Sequence, residues 1–547
     1  MSATSVRAAG TPRRGPVAAL ALALLALAAT ALVATPGAHA RTASADRDGR
    51  PNILVVMTDD QALSDVAQMP NVKRLLAAQG TTFSDAVDSF PLCCPARATF
   101  ITGQYAHNHG VAGNFYPYGW YGMKHRSNTL PVWLRRAGYR TAMIGKWLNG
   151  YGALKPREIP PGFDIWRGLL DVSAYDYFNF IMNVNGRLRS WGDRAYAQAL
   201  VDFAKAEALP GIDSIAELLK LSNRLFRPGW FGTQETRNYS PDVTGRVAEE
   251  LVRGERRSRK PFFIWWSPAS PHREDVNGAV RGKPGPDPRP APRYASRVAK
   301  LRIPRPPSFN EADVSAKPRL LRELPKMTDA QIAKLQLNYQ GRIGSLLAVD
   351  DHVKKLVSIL RQTGQLSNTL IVFVSDNGWV QGQHRILGDK FVPYQESIRV
   401  PFILRGPGVR AGRTVRRTVS NIDFAPTLLA AARARAGRTQ DGISLLPAAA
   451  GRAQPPARAI ELEATGPLFM AEGFPMAYDK PYKGVLAGPW KYIRWSYGDQ
   501  ELYDLRRDPY EMRNLAADPA YAATKARLAA KLRALERCKG RACDVRP

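Results

Sequence analysis

Pro51-Asn52-Ile53-Leu54-Val55-Val56-Met57-Thr58-Asp59-Asp60 is an apolar run of strand length that closes on two carboxylates. An unbroken apolar run, rather than an alternating one, predicts a strand covered on both faces, as in a parallel sheet. Asp59 and Asp60 then stand at its C-terminal edge, where open α/β sheets place ligand sites. The same pattern recurs further along. Arg140 to Ile144 leads into Gly145-Lys146-Trp147, Pro261 to Trp266 ends at Ser267-Pro268, and Leu370 to Val374 ends at Ser375-Asp376-Asn377-Gly378. Between these runs lie helical stretches: Pro70 to Gly80 with a glycine stop, Leu130 to Ala137, Ser240 to Arg253, and the long amphipathic stretch 331–363. Strands alternating with helices predict an α/β fold with a doubly wound, mostly parallel sheet. After Asp441-Gly442 the pattern changes to short strands at Tyr482 to Leu486, Trp490 to Trp495 and Glu501 to Leu505, then a helix from about Pro519 to Arg537. That predicts a smaller C-terminal α+β domain.

The 547 residues hold one large domain and a smaller one. Residues 1–40 read as a signal peptide: Arg7, Arg13 and Arg14, an apolar run from about Val17 to Val33, then Ala38-His39-Ala40 as a small-residue cleavage site. The expected division is 1–40 signal peptide, 41–435 catalytic domain and 436–547 smaller C-terminal domain. Location follows: secreted, or held at the cell surface if the first segment is retained. A Pro- and Arg-rich insertion occupies about 274–327, with eight basic residues and one acid between Arg281 and Arg305. The net charge is +31, and +28 beyond residue 40 once Arg7, Arg13 and Arg14 are removed. Such a charge suits polyanionic partners, although the Arg- and Ala-rich usage also fits a GC-rich genome. Of four cysteines, Cys538 and Cys543 suit a small disulfide loop in an oxidising compartment. Cys94 reads as a buried free thiol.

Pro91-Leu92-Cys93-Cys94-Pro95-Ala96-Arg97 carries the chemistry. If a helix starts near Pro95, a favoured first-turn residue, Arg97 lies one turn from Cys93, and the helix N-terminus adds positive potential there. A Cys followed two residues later by Pro and four later by Arg resembles the maturation core of the sulfatases, and Ala98-Thr99-Phe100-Ile101-Thr102-Gly103-Gln104-Tyr105 continues the likeness. The resemblance implies that Cys93 is oxidised after translation to formylglycine. Its hydrate carries two hydroxyls: one attacks sulfur, and loss of the other's proton expels the sulfate. Ala96 stands where the family more often has Ser.

Asp59, Asp60, Asp376 and Asn377 offer four side-chain oxygens at two strand ends. With an oxygen of modified residue 93 they suit one hard cation, Ca²⁺, with Mg²⁺ as the alternative. Gly145-Lys146-Trp147, Pro271-His272, Asp376-Asn377-Gly378 and Gly388-Asp389-Lys390 follow in the order seen in sulfatases, as do Tyr394 to Pro401, Asp423 to Thr427 and Leu502 to Leu505. The likeness spans residue 51 to about 515. It implies an alkaline-phosphatase-like fold with a mixed, mostly parallel sheet. Cys93-Cys94-Pro95, His107-Asn108-His109 and Leu148-Asn149-Gly150-Tyr151-Gly152 most resemble the N-acetylglucosamine-6-sulfatases.

By matching position, modified Cys93 is the nucleophile. Arg97, Lys146 and Lys390 neutralise sulfate oxygens, and His272 protonates the leaving alcohol. Many sulfatases carry a His two residues after the Lys of Gly-Lys-Trp, where this chain has Leu148. His107 is the expected substitute as base, with His109 behind it as a substrate contact. His384 is a second expected substrate contact, and His125 and His352 read as structural. The expected partners are a sulfated small molecule or glycan and, during maturation, a formylglycine-generating enzyme. Nucleic acid is not expected, nor stable membrane association once the signal is cleaved. The leading reading is a sulfuric ester hydrolase acting on a sulfated carbohydrate such as N-acetylglucosamine-6-sulfate. The alternatives are an arylsulfatase of broad specificity, a related phosphonate or phosphate ester hydrolase, and a non-catalytic binder of anionic glycans.

Overall fold

The computed structural model describes residues 49–114, 118–171, 173–195, 198, 236–274, 287–464 and 482–547. The segment read as a signal peptide lies outside them. Ten strands form one sheet in the order Arg413–Val415, Thr81–Phe83, Phe402–Arg405, Thr369–Ser375, Asn52–Thr58, Phe262–Ser267, Arg140–Lys146, Ile165–Leu169, Phe180–Val184, Arg187–Trp191. The run Asn52–Thr58 is its centre, parallel to Phe262–Ser267 on one side and to Thr369–Ser375 on the other. Arg140–Lys146 extends the parallel block between Phe262–Ser267 and Ile165–Leu169. On one side Phe402–Arg405 runs antiparallel to both its neighbours and the edge strand Arg413–Val415 pairs parallel with Thr81–Phe83; on the other Phe180–Val184 and Arg187–Trp191 finish antiparallel, so the sheet is mixed and mostly parallel, as expected.

The apolar pattern decides which helix covers which face. Ile53, Val55 and Met57 pack with the helices Cys93–Thr102, Leu130–Arg136 and Phe424–Ala432, and Leu54 and Val56 pack with Ser240–Gly254 and Asp329–Gln362. The 34-residue helix starts at a capping box, where Thr328 accepts from Gln331 N and the Gln331 side chain accepts from Thr328 N. A second, four-stranded antiparallel sheet runs Ile460–Ala464, Tyr482–Ala487, Trp490–Trp495, Gln500–Asp504, with the helix Ala522–Leu535 packed on it. This is the smaller C-terminal α+β unit. Cys538 and Cys543 are joined by a disulfide, and Cys94 is a buried thiol.

Several strands escaped the sequence reading. Phe180–Val184 and Arg187–Trp191 are a hairpin turned by Asn185-Gly186, both at positive φ, which is a strong hairpin signal. Ile165–Leu169 and Ile460–Ala464 carry no comparable mark. Among the described residues, no helix is long and apolar enough to cross a membrane.

Candidate active site

Four strands of the parallel block end on one edge of the sheet, and each delivers something. Asn52–Thr58 delivers Asp59 and Asp60, Thr369–Ser375 delivers Asp376 and Asn377, Arg140–Lys146 ends on Lys146, and Phe262–Ser267 leads through Ser270-Pro271 to His272. Lys146 is fixed by its neighbours. Gly145, at φ +101°, passes so close to the Ser267 carbonyl that a Cβ would stand 2.0 Å from it, so only glycine fits. Trp147 meets Trp120, Phe163, Trp166 and Trp265 edge-on at centroid distances of 5.3 to 5.7 Å. Each such pair is worth about 1 kcal/mol beyond its buried area.

The helix that carries Cys93 begins at Cys93 itself and ends on Gly103 in the left-handed conformation. Pro95 therefore sits third in the helix rather than first. The consequence is that Cys93 occupies the first turn, where backbone N–H groups have no intrahelical partners. Its Sγ lies 3.5 Å from Asp59 Oδ1, 3.7 Å from Asp60 Oδ1 and 3.1 Å from Lys390 Nζ. Candidate ligand atoms of Asp59, Asp60, Cys93 and His272 all fall within 4.8 Å of one another. Lys146 Nζ donates to Asp59 at 2.7 and 2.9 Å, and Lys390 Nζ donates to both Asp60 oxygens at 2.6 Å. One turn on from Cys93, Arg97 Nε donates to Asp376 Oδ2 at 2.8 Å, while its Nη1 reaches the Lys146 carbonyl and Ser267 Oγ. Arg97 Nη2 and Asn377 Oδ1 are buried with no hydrogen-bond partner.

Burial pushes the Cys93 thiol well up, against the opposing pull of Lys146 and Lys390. Burial also raises Asp59, to about 7, although Lys146 pulls the other way. At Asp60 the same burial is outweighed by Lys390, by Lys146 and by the hydrogen bonds from Lys390 and Asn377, which hold it below the usual carboxylate range. Burial opposes the Lys390 ammonium, but Asp60 and Cys93 outweigh it and hold its pKa up.

His272 Nδ1 donates to the Arg273 carbonyl, which leaves Nε2 facing Asp60 Oδ2 at 3.5 Å. Burial, then Lys390 and Lys146, depress its pKa well below the ordinary histidine value. Its ring lies against Tyr175, centroids 4.3 Å apart, and Lys146 Nζ sits 4.7 Å from the same phenol ring. Tyr175 is thus a site residue that sequence reasoning missed. It falls between motifs, on a 3-10 turn that no periodicity announces.

The structure does not bring the other histidines to Cys93. His107 lies past the far end of the ten-residue helix, about 15 Å of helical rise away. Its Nε2 donates to the Cys538 carbonyl, and its Nδ1 faces Glu461 and Glu463 at 3.4 and 3.5 Å. The expectation that His107 replaces the base is corrected on that ground. His109 accepts Val111 N–H at Nδ1 and meets Thr99 Oγ1 with Nε2. His384 is fully buried, 2.7 Å from Glu311 and tilted against the Tyr394 ring. Both rings are held by partners outside the Cys93 cluster, where the sequence reading expected substrate contacts. His352 bonds Asp242 and Glu249 and is structural, as read.

A family model described as Sulfatase matches residues 51–434. The chain belongs to the sulfatase family. A second model, described as N-sulphoglucosamine sulphohydrolase, C-terminal, matches residues 382–538. The human N-acetylglucosamine-6-sulfatase is 29% identical over 573 residues, covering 98% of this chain and 92% of that protein. The extracellular sulfatase SULF-1 homolog of Drosophila melanogaster is 31% identical over 415 residues, covering 75% of this chain and 32% of that protein. The chain spans about half or less of the length of the Sulf-1 relatives it matches. Among solved structures, one described in complex with its substrate D-glucosamine-2-N,6-O-disulfate superposes with a TM-score of 0.67 at 24% identity, covering 88% of this chain and 97% of that one. At that identity the likeness speaks for the fold alone, and the fold is that of this family.

Proposed function

We propose that this protein hydrolyses sulfate monoesters, with formylglycine formed from Cys93 as nucleophile and a divalent cation held by Asp59, Asp60, Asp376 and Asn377. The observation that carries the reading is the position of Cys93, in the first turn of a helix and among Asp59, Asp60, Lys390 and His272. A buried thiol with a raised pKa is a poor nucleophile, so the unmodified side chain does not suit this pocket's task. The hydrated aldehyde would supply a hydroxyl in its place. The donor set is all oxygen once Asn377 Oδ1, buried and unbonded, is counted, and it fits Ca²⁺, with Mg²⁺ the alternative. Such a cation would polarise a sulfate oxygen and the nucleophile's hydroxyl.

The chain's own residues do the rest. Arg97, Lys146 and Lys390 are fixed cations around the nucleophile, preorganised where negative charge gathers. Asp59, Asp60 and Asp376 match those three cations in number, so a divalent ion leaves a surplus of two positive charges. A sulfate monoester monoanion with an ionised nucleophile cancels that surplus, whereas a phosphate monoester dianion overshoots it. His272 would hold a proton on Nε2 for the leaving alcohol, because a bound anion offsets the push of Lys146 and Lys390.

For substrate we propose a 6-sulfated N-acetylglucosamine unit, on the likeness to the N-acetylglucosamine-6-sulfatases over nearly the whole chain. Extracellular relatives support export as its route. Paired assays test the reading. Purified protein should release sulfate from 4-nitrophenyl sulfate and from N-acetylglucosamine-6-sulfate, with little turnover of 4-nitrophenyl phosphate. Preference for the phosphate ester would overturn the reading in favour of the alternative hydrolase.

A further inference from the structure

Arg342 lies in the middle of the helix Asp329–Gln362, 2% exposed, and touches neither Cys93 nor any group assigned to the sulfate. Its guanidinium reaches two loops that do. Nη2 donates to the Asp60 carbonyl at 2.5 Å, and Nη1 donates to the Pro271 carbonyl, next to His272, at 3.1 Å. Its Cζ also lies 5.0 Å from the centre of the Trp379 ring, which has Lys390 Nζ 5.5 Å away. One planar cation therefore spans the loop of a candidate metal ligand, the loop of the candidate acid and the aromatic wall beside Lys390. Asp65 stands 3.4 Å from Nη2 as its counter-charge.

Both loops need holding. Asp60 sits at φ +65°, in the left-handed region, which costs a residue with a Cβ free energy that its surroundings must offset. The chain from Ser267 to His272 leaves the sheet and has to aim an imidazole. The long helix is a rigid support for both, and a guanidinium fork spans two diverging carbonyls in a way a lysine's single nitrogen does not.

We infer that Arg342 is a positioning residue for this reaction: it sets the mutual placement of Asp60 and His272, and through them cation affinity and proton delivery to the leaving alcohol. The inference rests on the roles given above to Asp60 and His272. Those roles predict where its loss is felt. A misplaced acid slows esters of poor leaving alcohols and spares esters of good ones, and a misplaced Asp60 weakens the cation.

The test is Arg342→Lys and Arg342→Gln, with kcat/KM measured on N-acetylglucosamine-6-sulfate and on 4-nitrophenyl sulfate, and Ca²⁺ affinity measured by calorimetry without substrate. The expected result is a loss on the sugar ester at least about tenfold larger than on the aryl ester, with Ca²⁺ binding weakened about tenfold. Equal losses on both esters with unchanged Ca²⁺ affinity would overturn the inference, as would wild-type behaviour of Arg342→Lys. If both variants fail to fold while Asp65→Asn folds and stays active, Arg342 is a fold residue and the inference fails. His272→Ala separates this from the underlying reading. If it too slows both esters alike, the acid assignment is what has failed.

Discussion

At Cys93, Arg97, Lys146 and Lys390 the site gathers three fixed cations around one buried sulfur, with three carboxylates set against them. Removing any one of the charged members leaves another charge buried and unpaired, so effects here should be large. Cys93→Ala should remove essentially all turnover, a loss of at least about 10³-fold in kcat. Lys390→Ala should cost about 10²- to 10³-fold in kcat, as for loss of one preorganised donor, and should free Asp60 from its partner. Both are read by steady-state kinetics on 4-nitrophenyl sulfate. Chelation should abolish activity and lower the melting temperature, since an ion bound only to the folded state adds RT ln(1 + [L]/Kd) of stability. Ca²⁺ should restore both, and full activity in excess chelator would contradict the cation assignment. Asp59, Asp60, Lys146, Asp376 and Asn377 were legible in the sequence because they end apolar strands, and Cys93 because it starts a helix, whereas Arg97 and Lys390 were marked only by the family-like motifs around them. Tyr175 and Arg342 were not. Their roles arise from loops and a helix face brought together only by the fold, with no local pattern to mark them.

At the scale of elements, the strand Asn52–Thr58 and its parallel neighbours were readable because runs buried on both faces are unbroken and apolar. The strands outside that parallel block are shorter or half-polar, and Arg187–Trp191 is mostly exposed, which blurs them. The short helix Ala106–His109 shows how a motif misleads. Its histidines look catalytic in sequence, but the chain has already run the length of the helix Cys93–Thr102, and His107 docks on the C-terminal sheet instead. There burial opposes its charge, but the facing carboxylates of Glu463 and Glu461 outweigh it and raise its pKa to about 9. A group raised when folded stabilises most below its unfolded value, near 6.5, and its contribution fades as pH rises through 9. With the ring partly exposed, we expect roughly 2 kcal/mol after allowance for screening. Denaturant melts of wild type and His107→Gln should differ by about that much at pH 6 and converge above pH 9. A gap that stays constant with pH would assign the loss to packing instead.

Across the whole molecule, the α/β class and the smaller C-terminal sheet followed from the order of strands and helices alone. What sequence did not show is how closely the two sheets are joined. Asp441 accepts from Tyr105 N and Asn108 Nδ2 just after the helix Cys93–Thr102, and from Gly540 N in the disulfide loop. The Cys538 carbonyl takes hydrogen bonds from His107 and Asn108. The loop closed by Cys538 and Cys543 is short, so on chain entropy its bond should contribute about 2 kcal/mol. Cys538→Ser with Cys543→Ser should lower the unfolding free energy by that order and leave kcat at 25 °C within about twofold, checked by denaturant titration and assay.

Mass spectrometry of the tryptic peptide Leu75–Arg97, from protein exported by its own host, tests the central claim most directly. The account predicts formylglycine at residue 93 and an unmodified thiol at Cys94. An intact thiol at Cys93 in active, fully exported protein would contradict it.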